Sequence, residues 1–417
     1  MMRFLLFVWI LSLPFYQFSI IGSFSVDNML APFLFLVWLA QVSLGRQSVT
    51  ALQANNIIKT FILAGFYFVA HIIGLIGTHD AIWQSAYSSA TNMLYFILPV
   101  LFIRTAQDLK AFKDAIIIIA IIASISGLLS ALGVLELAFA RQAESRIGVE
   151  SLQKSIGVFS SYGDVAILLS LALLIVIADR KERSFIALFP YLKIIMMIVI
   201  CVISIASMQS RNIVLTIMTA LLSYWVIGQL IKKSKIWDHI LYGGIILVVI
   251  LSATVITLFS TQLLEIIQGI GGTKEAAGTV DSRLMQYRFM WDLVKDDILV
   301  GTDPNIHEKY INEINLTHNM WLKELVQGGI ITVFAMLMIL WRAIMVQVVN
   351  YKQGQVPKDS LVLISCLLGM IVATQFYPGG TYLFWCILGA CSAMPFERDT
   401  KVIEPQIIKN NLLRVAR

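Results

Sequence analysis

The chain has 417 residues, of which 58% are hydrophobic and 13% charged, and its mean hydropathy is +0.82. Soluble domains carry about 25% charged residues, so this composition excludes an ordinary soluble enzyme, a disordered chain and a nucleic-acid-binding module. The composition instead predicts an all-α polytopic membrane protein that forms a single membrane domain over 1–417.

The predicted elements are apolar segments, because a membrane-spanning helix needs about 20 mostly apolar residues. Twelve segments meet this condition, and in chain order they are 4–21, 29–44, 57–76, 82–103, 114–135, 158–178, 191–208, 212–231, 239–260, 319–341, 360–377 and 381–395. The turns at 207–211 and 377–380 are tight, so either flanking pair could instead be one bent element. All four cysteines lie in apolar stretches, and we expect them to be free packing residues: Cys201, Cys366, Cys386 and Cys391.

The basic residues of the loops set the predicted orientation, because cytoplasmic loops of membrane proteins are rich in Lys and Arg. With the N-terminus inside, most of the 31 Lys and Arg residues fall on the cytoplasmic side. We therefore expect both termini to be cytoplasmic. The net charge of +6 is then a topology signal, and no nucleic-acid partner is expected.

Two predicted outer segments are too long to be turns. One is 136–157, which carries charges of both signs, and the other is 261–318, in which we expect short helices. Long loops of this kind commonly carry function. We therefore expect the chemistry of the protein at its outer face.

His318 and Asn319 are the first candidates, because they join the long outer loop to a predicted span. A helix N-terminus favours anions through its free N–H groups and its dipole. A neutral histidine at that place can act as a general base. The alternative interpretation is that both residues only cap the helix.

Three arginines are candidates for holding an anion. Arg211 follows a turn that is too short to lift a guanidinium far from the membrane, where an ionisable group is a functional hypothesis by default. Snorkelling to lipid phosphates is its alternative role. Arg283 and Arg288 could grip a phosphate bidentately, although a solvated face is the commoner fate of a single Arg. They lie on a predicted amphipathic helix, whose apolar stripe comprises Leu284, Tyr287, Trp291 and Val294.

Two weaker candidates for substrate binding lie nearer the middle of the chain. Arg146 is in the shorter outer loop, and Asp164 is near the outer end of the span 158–178. Among the remaining histidines, we expect His71 to be a packed span residue without a functional role.

Taken together, the outer motifs resemble the superfamily of O-antigen ligases and Wzy-type O-antigen polymerases. The matched region runs from about 146 to 345, and three motifs carry the resemblance: Met208-Gln209-Ser210-Arg211, then Arg283 with Tyr287 and Gly301, then His318-Asn319-Met320-Trp321-Leu322 through Gly328-Gly329-Ile330. The chain departs from the family pattern at Gly157-Val158-Phe159, which no Pro-Asn follows, and at Ile298–Asp303, which lacks the usual proline.

The resemblance implies a GT-C-like membrane glycosyltransferase in the bacterial inner membrane, with its active site facing the periplasm. Its donor would be a glycan on undecaprenyl diphosphate, and its acceptor another lipid-linked glycan or lipid A-core. Membrane lipids and a chain-length regulator are further implied partners. No metal or other cofactor is implied, and direct displacement would invert the anomeric centre.

The implied roles follow the motifs. Arg211 and Arg283, or Arg288, would hold the diphosphate, and His318 would act on the acceptor hydroxyl with Asn319 orienting it. We favour a polymerase over a ligase, and the two activities share these motifs. A transporter or flippase for a lipid-linked glycan is the alternative of another class, and it predicts charged residues along a path through the membrane centre.

Overall fold

A computed structural model of the chain describes the residues 2–15, 19–21, 24–45, 51–75, 82–134, 162–179, 190–208, 211–233, 287–301, 319–352, 356–374 and 382–395. The predicted span 239–260 and the shorter outer loop 136–157 lie outside these ranges. Of the long outer loop, the structure describes 287–301, which contains the helical segment 287–294.

The described chain is helical apart from a 3-10 turn, Leu13–Phe15, and a small antiparallel hairpin of β1, Ser19–Ile21, with β2, Phe24–Ser25. In chain order the longer helices are α1 Met2–Ser12, α2 Val26–Ser43, α3 Ala51–Leu75, α4 Ile82–Phe102, α5 Ala106–Ala131, α6 Tyr162–Ala178, α7 Pro190–Met208, α8 Arg211–Lys233, α9 Met320–Lys352, α10 Pro357–Ala373 and α11 Tyr382–Cys391. The prediction of an all-α protein is confirmed at this level.

Four of the described helices, α3, α5, α8 and α9, are long and apolar enough to cross a membrane. Their outward faces are apolar too: Ile62 of α3 is 64% exposed and Trp225 of α8 is 62% exposed. Apolar side chains in such positions suit a lipid environment, since they would be costly to present to water. The protein is therefore a membrane protein.

The first predicted span is wrong in its extent. The expected apolar helix over 4–21 stops at Ser12, because Pro14 lacks a backbone N–H and its ring clashes with the carbonyl four residues before it. The chain then turns through Leu13–Phe15 and enters the hairpin. The tenth predicted span also differs, since α9 continues past residue 341 to Lys352.

The helices pack around large buried side chains, among which Trp9, Phe112 and Trp385 are fully buried. One contact between two helices depends on a close approach of their backbones. A Cβ added at Gly389 of α11 would lie 2.1 Å from the carbonyl oxygen of Phe96 in α4. Small residues allow helices of membrane proteins to approach in this way. The four cysteines are free and buried, as predicted.

Charged side chains gather at one end of the helices, which we call the inner end because the sequence predicts that it faces the cytoplasm. There Lys113 of α5 donates to Asp179, at 2.9 Å, and to Asp359 of α10, at 2.8 Å. Arg3 of α1 pairs with Asp108 of α5 at 2.6 Å. The opposite, outer end contains the starts of α6, α9 and α11. The candidate motifs described below lie at this outer end.

Candidate functional site

The start of α9 is fixed to the end of α10 by hydrogen bonds. The backbone N–H of Met320 donates to the carbonyl of Thr374 at 2.9 Å, and the indole N–H of Trp321 donates to the Thr374 hydroxyl at 3.0 Å. Asn319 caps the helix, since its side-chain oxygen accepts from the backbone N–H of Leu322 at 3.1 Å. The first turn of α9 and its cap residue Asn319 are therefore anchored at a defined point of the outer end.

A break divides α9 nine residues after its start. Gly329 has φ +68° and ψ −170°, a conformation that is essentially restricted to glycine. The outer chain docks at this break, where the N–H of Ile330 donates to the carbonyl of Ile298 at 2.8 Å. A Cβ on Gly329 would lie 2.2 Å from the carbonyl oxygen of Leu299. Glycine is thus required both by the backbone angle and by the neighbouring chain.

Gly301 makes the reciprocal contact. Its φ is +79°, and a Cβ added to it would lie 2.6 Å from the carbonyl oxygen of Val326 in α9. The two glycine-containing motifs that the sequence analysis singled out, one in the outer loop and one in α9, are therefore in direct backbone contact. We call the segment 295–301 the docking strand of the outer loop, without implying a β-structure.

The helical segment 287–294 continues this contact with side chains. Met290 and Val294 are buried against Val326 of α9, and the partly buried residues around them are Phe289, Leu293, Leu322 and Leu325. Of the predicted apolar stripe, Leu284 lies outside the described residues and Tyr287 is partly buried. Val294 lies on the buried face, but Trp291 is 51% exposed, because the helix turns Met290 towards α9 in its place.

A buried polar cluster lies between α3 and α9, below the start of α9. Tyr67, His71 and Glu324 are 1%, 6% and 4% exposed. The Tyr67 hydroxyl donates to Oε2 of Glu324 at 2.8 Å, and Nδ1 of His71 is 3.8 Å from the same oxygen. The Tyr67 ring also contacts the ring of Trp385 at 5.2 Å. We call Tyr67, His71 and Glu324 the buried triad.

The structure brings two of the predicted site residues to this region. Asn319 caps α9, which is the alternative role considered for it, and Arg288 is exposed on the helical segment that packs against α9. Asp164 lies in the first turn of α6 and is 1% exposed, so it is buried within the helices. Arg211 is the first residue of α8.

The other predicted site residues lie outside the described ranges. These are His318, Arg283 and Arg146. Their expected approach to Arg211 therefore stays a prediction. His318 directly precedes the cap residue Asn319, so the chain position of the expected base is one residue from an anchored backbone.

Sequence reasoning missed the buried triad. It treated His71 as a packed span residue, which agrees with its burial, and it gave no role to Glu324 or Tyr67. A signal was available, because an ionisable residue within an apolar span is a functional hypothesis by default. Glu324 and His71 both fall within predicted spans.

The chain was compared with models of protein families and with curated proteins, and it matches none of them.

Proposed function

We propose that the protein is a glycosyltransferase that acts at the outer face of the bacterial inner membrane. In this proposal it polymerises oligosaccharide repeats carried on undecaprenyl diphosphate into O-antigen, capsular or other exported polysaccharide. Both termini are cytoplasmic. The resemblance of three sequence motifs to the O-antigen ligase and polymerase superfamily is the origin of the proposal.

One structural observation supports it above the others. The docking strand lies in the break of α9, where Gly301 approaches the backbone of Val326 to Gly328 and Gly329 approaches the backbone of Leu299 and Val300. Two motifs that were connected only by the resemblance are therefore neighbours. An arrangement of this kind is what a shared active site at the outer end requires.

In the proposed chemistry, arginine side chains stabilise the negative charge that develops on the leaving group. Breaking the anomeric C–O bond leaves negative charge on the diphosphate, and fixed positive groups placed there lower the barrier. Arg211 and Arg283 are our candidates, and Arg288 is the alternative to Arg283. Arg288 is exposed on a helical segment that is itself packed on α9, so it is held near the outer end.

The acceptor hydroxyl needs a group that orients it and takes its proton. His318 is our candidate for that base, and general-base assistance is typically worth about 10²- to 10⁴-fold. Asn319 already uses its side-chain oxygen to cap α9. Its proposed contribution is therefore to hold the backbone of its neighbour in place.

A ligase that transfers the lipid-linked glycan to lipid A-core would use the same donor chemistry, and it is kept as the alternative within this class. A transporter for a lipid-linked glycan is the candidate of another class. The buried triad is the observation that favours it, since ionisable groups inside helices often mark transport paths.

The test is a gel of surface glycans from a deletion strain complemented with single variants. A core that carries a single repeat indicates a polymerase. A core without repeats, together with accumulated lipid-linked polymer, indicates a ligase. We expect His318→Ala and Arg283→Ala to fail to restore the pattern at normal expression, whereas Lys295→Ala, a change at an exposed residue of the same outer loop, restores it. Full restoration by His318→Ala would refute the catalytic assignment and favour transport.

A further inference from the structure

The buried triad presents an unmatched polar atom inside the protein. Nδ1 of His71 is buried and makes no hydrogen bond among the described residues. Leaving a buried polar atom unpaired is costly, and the nearest acidic oxygen, Oε2 of Glu324, is 3.8 Å away. This gap is about 1 Å longer than a normal hydrogen bond.

We propose that His71 and Glu324 form a proton-binding site between α3 and α9. Tyr67 holds the carboxylate in place by donating to the oxygen that faces the imidazole. The site takes up one proton from water and releases it to water, and no other bond forms or breaks. This inference does not depend on the proposed glycosyltransferase activity.

The burial of the site restricts its ligand to something as small as a proton. The three side chains are almost completely enclosed, and the aromatic ring of Trp385 packs on Tyr67. A proton placed between Nδ1 and Oε2 satisfies both atoms, whichever of the two carries it. Each arrangement forms a charge-assisted or neutral hydrogen bond where the structure has a gap.

The charged neighbours of the pair are few in the described ranges. Glu324 and Lys323, both on the first turns of α9, are the charged side chains whose fields act on His71. From α3 the pair faces Tyr67, whose hydroxyl is already engaged. On the side of α11, the uncharged ring of Trp385 packs against Tyr67. Proton uptake therefore changes the charge of a small group of residues that lies directly below the start of α9.

Glu324 lies on the short helical piece between Trp321, whose indole is hydrogen-bonded to Thr374, and the break at Gly329. Both ends of this piece are held, because the docking strand also bonds to α9 at the break. The side chains of His71 and Glu324 therefore close the gap. Proton occupancy thus changes the hydrogen bonding directly below the backbone that follows His318.

The experiment uses the full-length protein in lipid nanodiscs and infrared difference spectra recorded between neutral and mildly acidic pH. We expect a carboxyl or imidazole band in the wild type that is missing from both Glu324→Gln and His71→Asn. Asp292→Asn is the matched control, since Asp292 is an exposed carboxylate in the outer loop, and the band must persist in that variant. The measurement requires no transfer activity, so it is independent of the failure or success of the proposed function.

Identical difference spectra for the wild type and Glu324→Gln would overturn the proposal. If Glu324→Gln does not fold, Tyr67→Phe decides the question, because it keeps both the imidazole and the carboxyl group and removes one hydrogen bond to the carboxyl group. We expect the frequency of the band to shift in that variant. A band at the same frequency as in the wild type would also overturn the proposal.

Discussion

The backbone N–H of Ile330 donates a 2.8 Å hydrogen bond to the carbonyl of Ile298. This bond joins the outer loop to α9 at the residue where the helix resumes after its break. An N–H at the start of a helical piece has no partner within the helix, and here the docking strand supplies one. The docking strand is therefore an integral part of the structure of α9.

The contact between the docking strand and α9 leads us to expect that alanine at Gly329 strongly lowers the stability of the protein. Gly329→Ala forces a side chain into a glycine-only conformation, which costs about 1–3 kcal/mol, and it also displaces the carbonyl of Leu299. We expect a lower unfolding temperature in detergent and faster proteolysis of the outer loop. Gly65→Ala in α3 is the control, since a Cβ there meets nothing within 4 Å and alanine is favoured in a helix. Equal stability of the two variants would contradict the docking contact.

The hydrogen bond between Tyr67 and Glu324 predicts a measurable coupling. Tyr67→Phe removes the donor from a buried carboxyl group, and we expect a loss of about 1–3 kcal/mol in the free energy of unfolding. In a double-mutant cycle with Glu324→Gln, the two effects are expected to be non-additive, because the residues are in contact. Additive effects would mean that the bond contributes nothing to stability.

At the inner end, we expect the largest loss of stability when Lys113 is replaced. Its side chain is 8% exposed and pairs with Asp179 and Asp359. Lys113→Met leaves these two carboxylates without their cation, and breaking a buried pair in this way costs about 3–5 kcal/mol. Thermal unfolding in detergent measures the loss. Lys295→Met removes an exposed ion pair with Asp292 and should leave the unfolding temperature unchanged.

Asn319 allows a helix cap to be separated from a contact with substrate. Asn319→Ala removes the cap and should cost about 0.5–2 kcal/mol, whereas Asn319→Asp preserves it. We expect Asn319→Asp to retain both stability and glycan assembly, because the proposed role of this residue is to hold the backbone. Normal stability of Asn319→Asp together with lost assembly would instead assign the side chain a direct contact with substrate.

The buried cysteines make the predicted orientation testable. All four native thiols are buried, so a membrane-impermeant maleimide should react with them slowly. Val134, after α5, is 71% exposed and Leu44, after α2, is 64% exposed. With both termini inside, Val134→Cys should react from the periplasm and Leu44→Cys only after the inner membrane is permeabilised. The reverse pattern would contradict the orientation.

Much of the helical framework could be predicted from apolar segments, because each helix satisfies its own backbone and reveals itself locally. The early end of α1 could have been predicted too, since Pro14 is visible in the sequence. The length of α9 was harder to predict. Arg342 argues for a boundary near 341, but its guanidinium is accommodated by hydrogen bonds to Asn56 of α3.

The contacts that define the candidate site join segments that are separate in the chain, so they could not be predicted from local sequence. Tyr67 and Glu324 are 257 residues apart in the chain, and nothing local in either segment identifies the other as its partner. The docking of Gly301 on Val326 of α9 crosses a much shorter stretch of chain, but neither segment identifies the other locally. The glycines were recognised as motif residues, but only the packed structure gives the reason for them, which is that two backbones approach too closely for any side chain.

The ion pairs of Lys113 at the inner end form in a fixed order during biosynthesis, because their two carboxylates are synthesised at different times. Asp179 follows Lys113 by 66 residues and Asp359 follows it by 246. At about 5–20 residues per second, the ribosome delivers the second carboxylate roughly 12–50 s after the lysine. Within that interval, from the synthesis of Asp179 onwards, Lys113 can pair with Asp179 while α10 does not yet exist. The ion-pair cluster around Lys113 is therefore completed only after α10, the next-to-last described helix, has been synthesised.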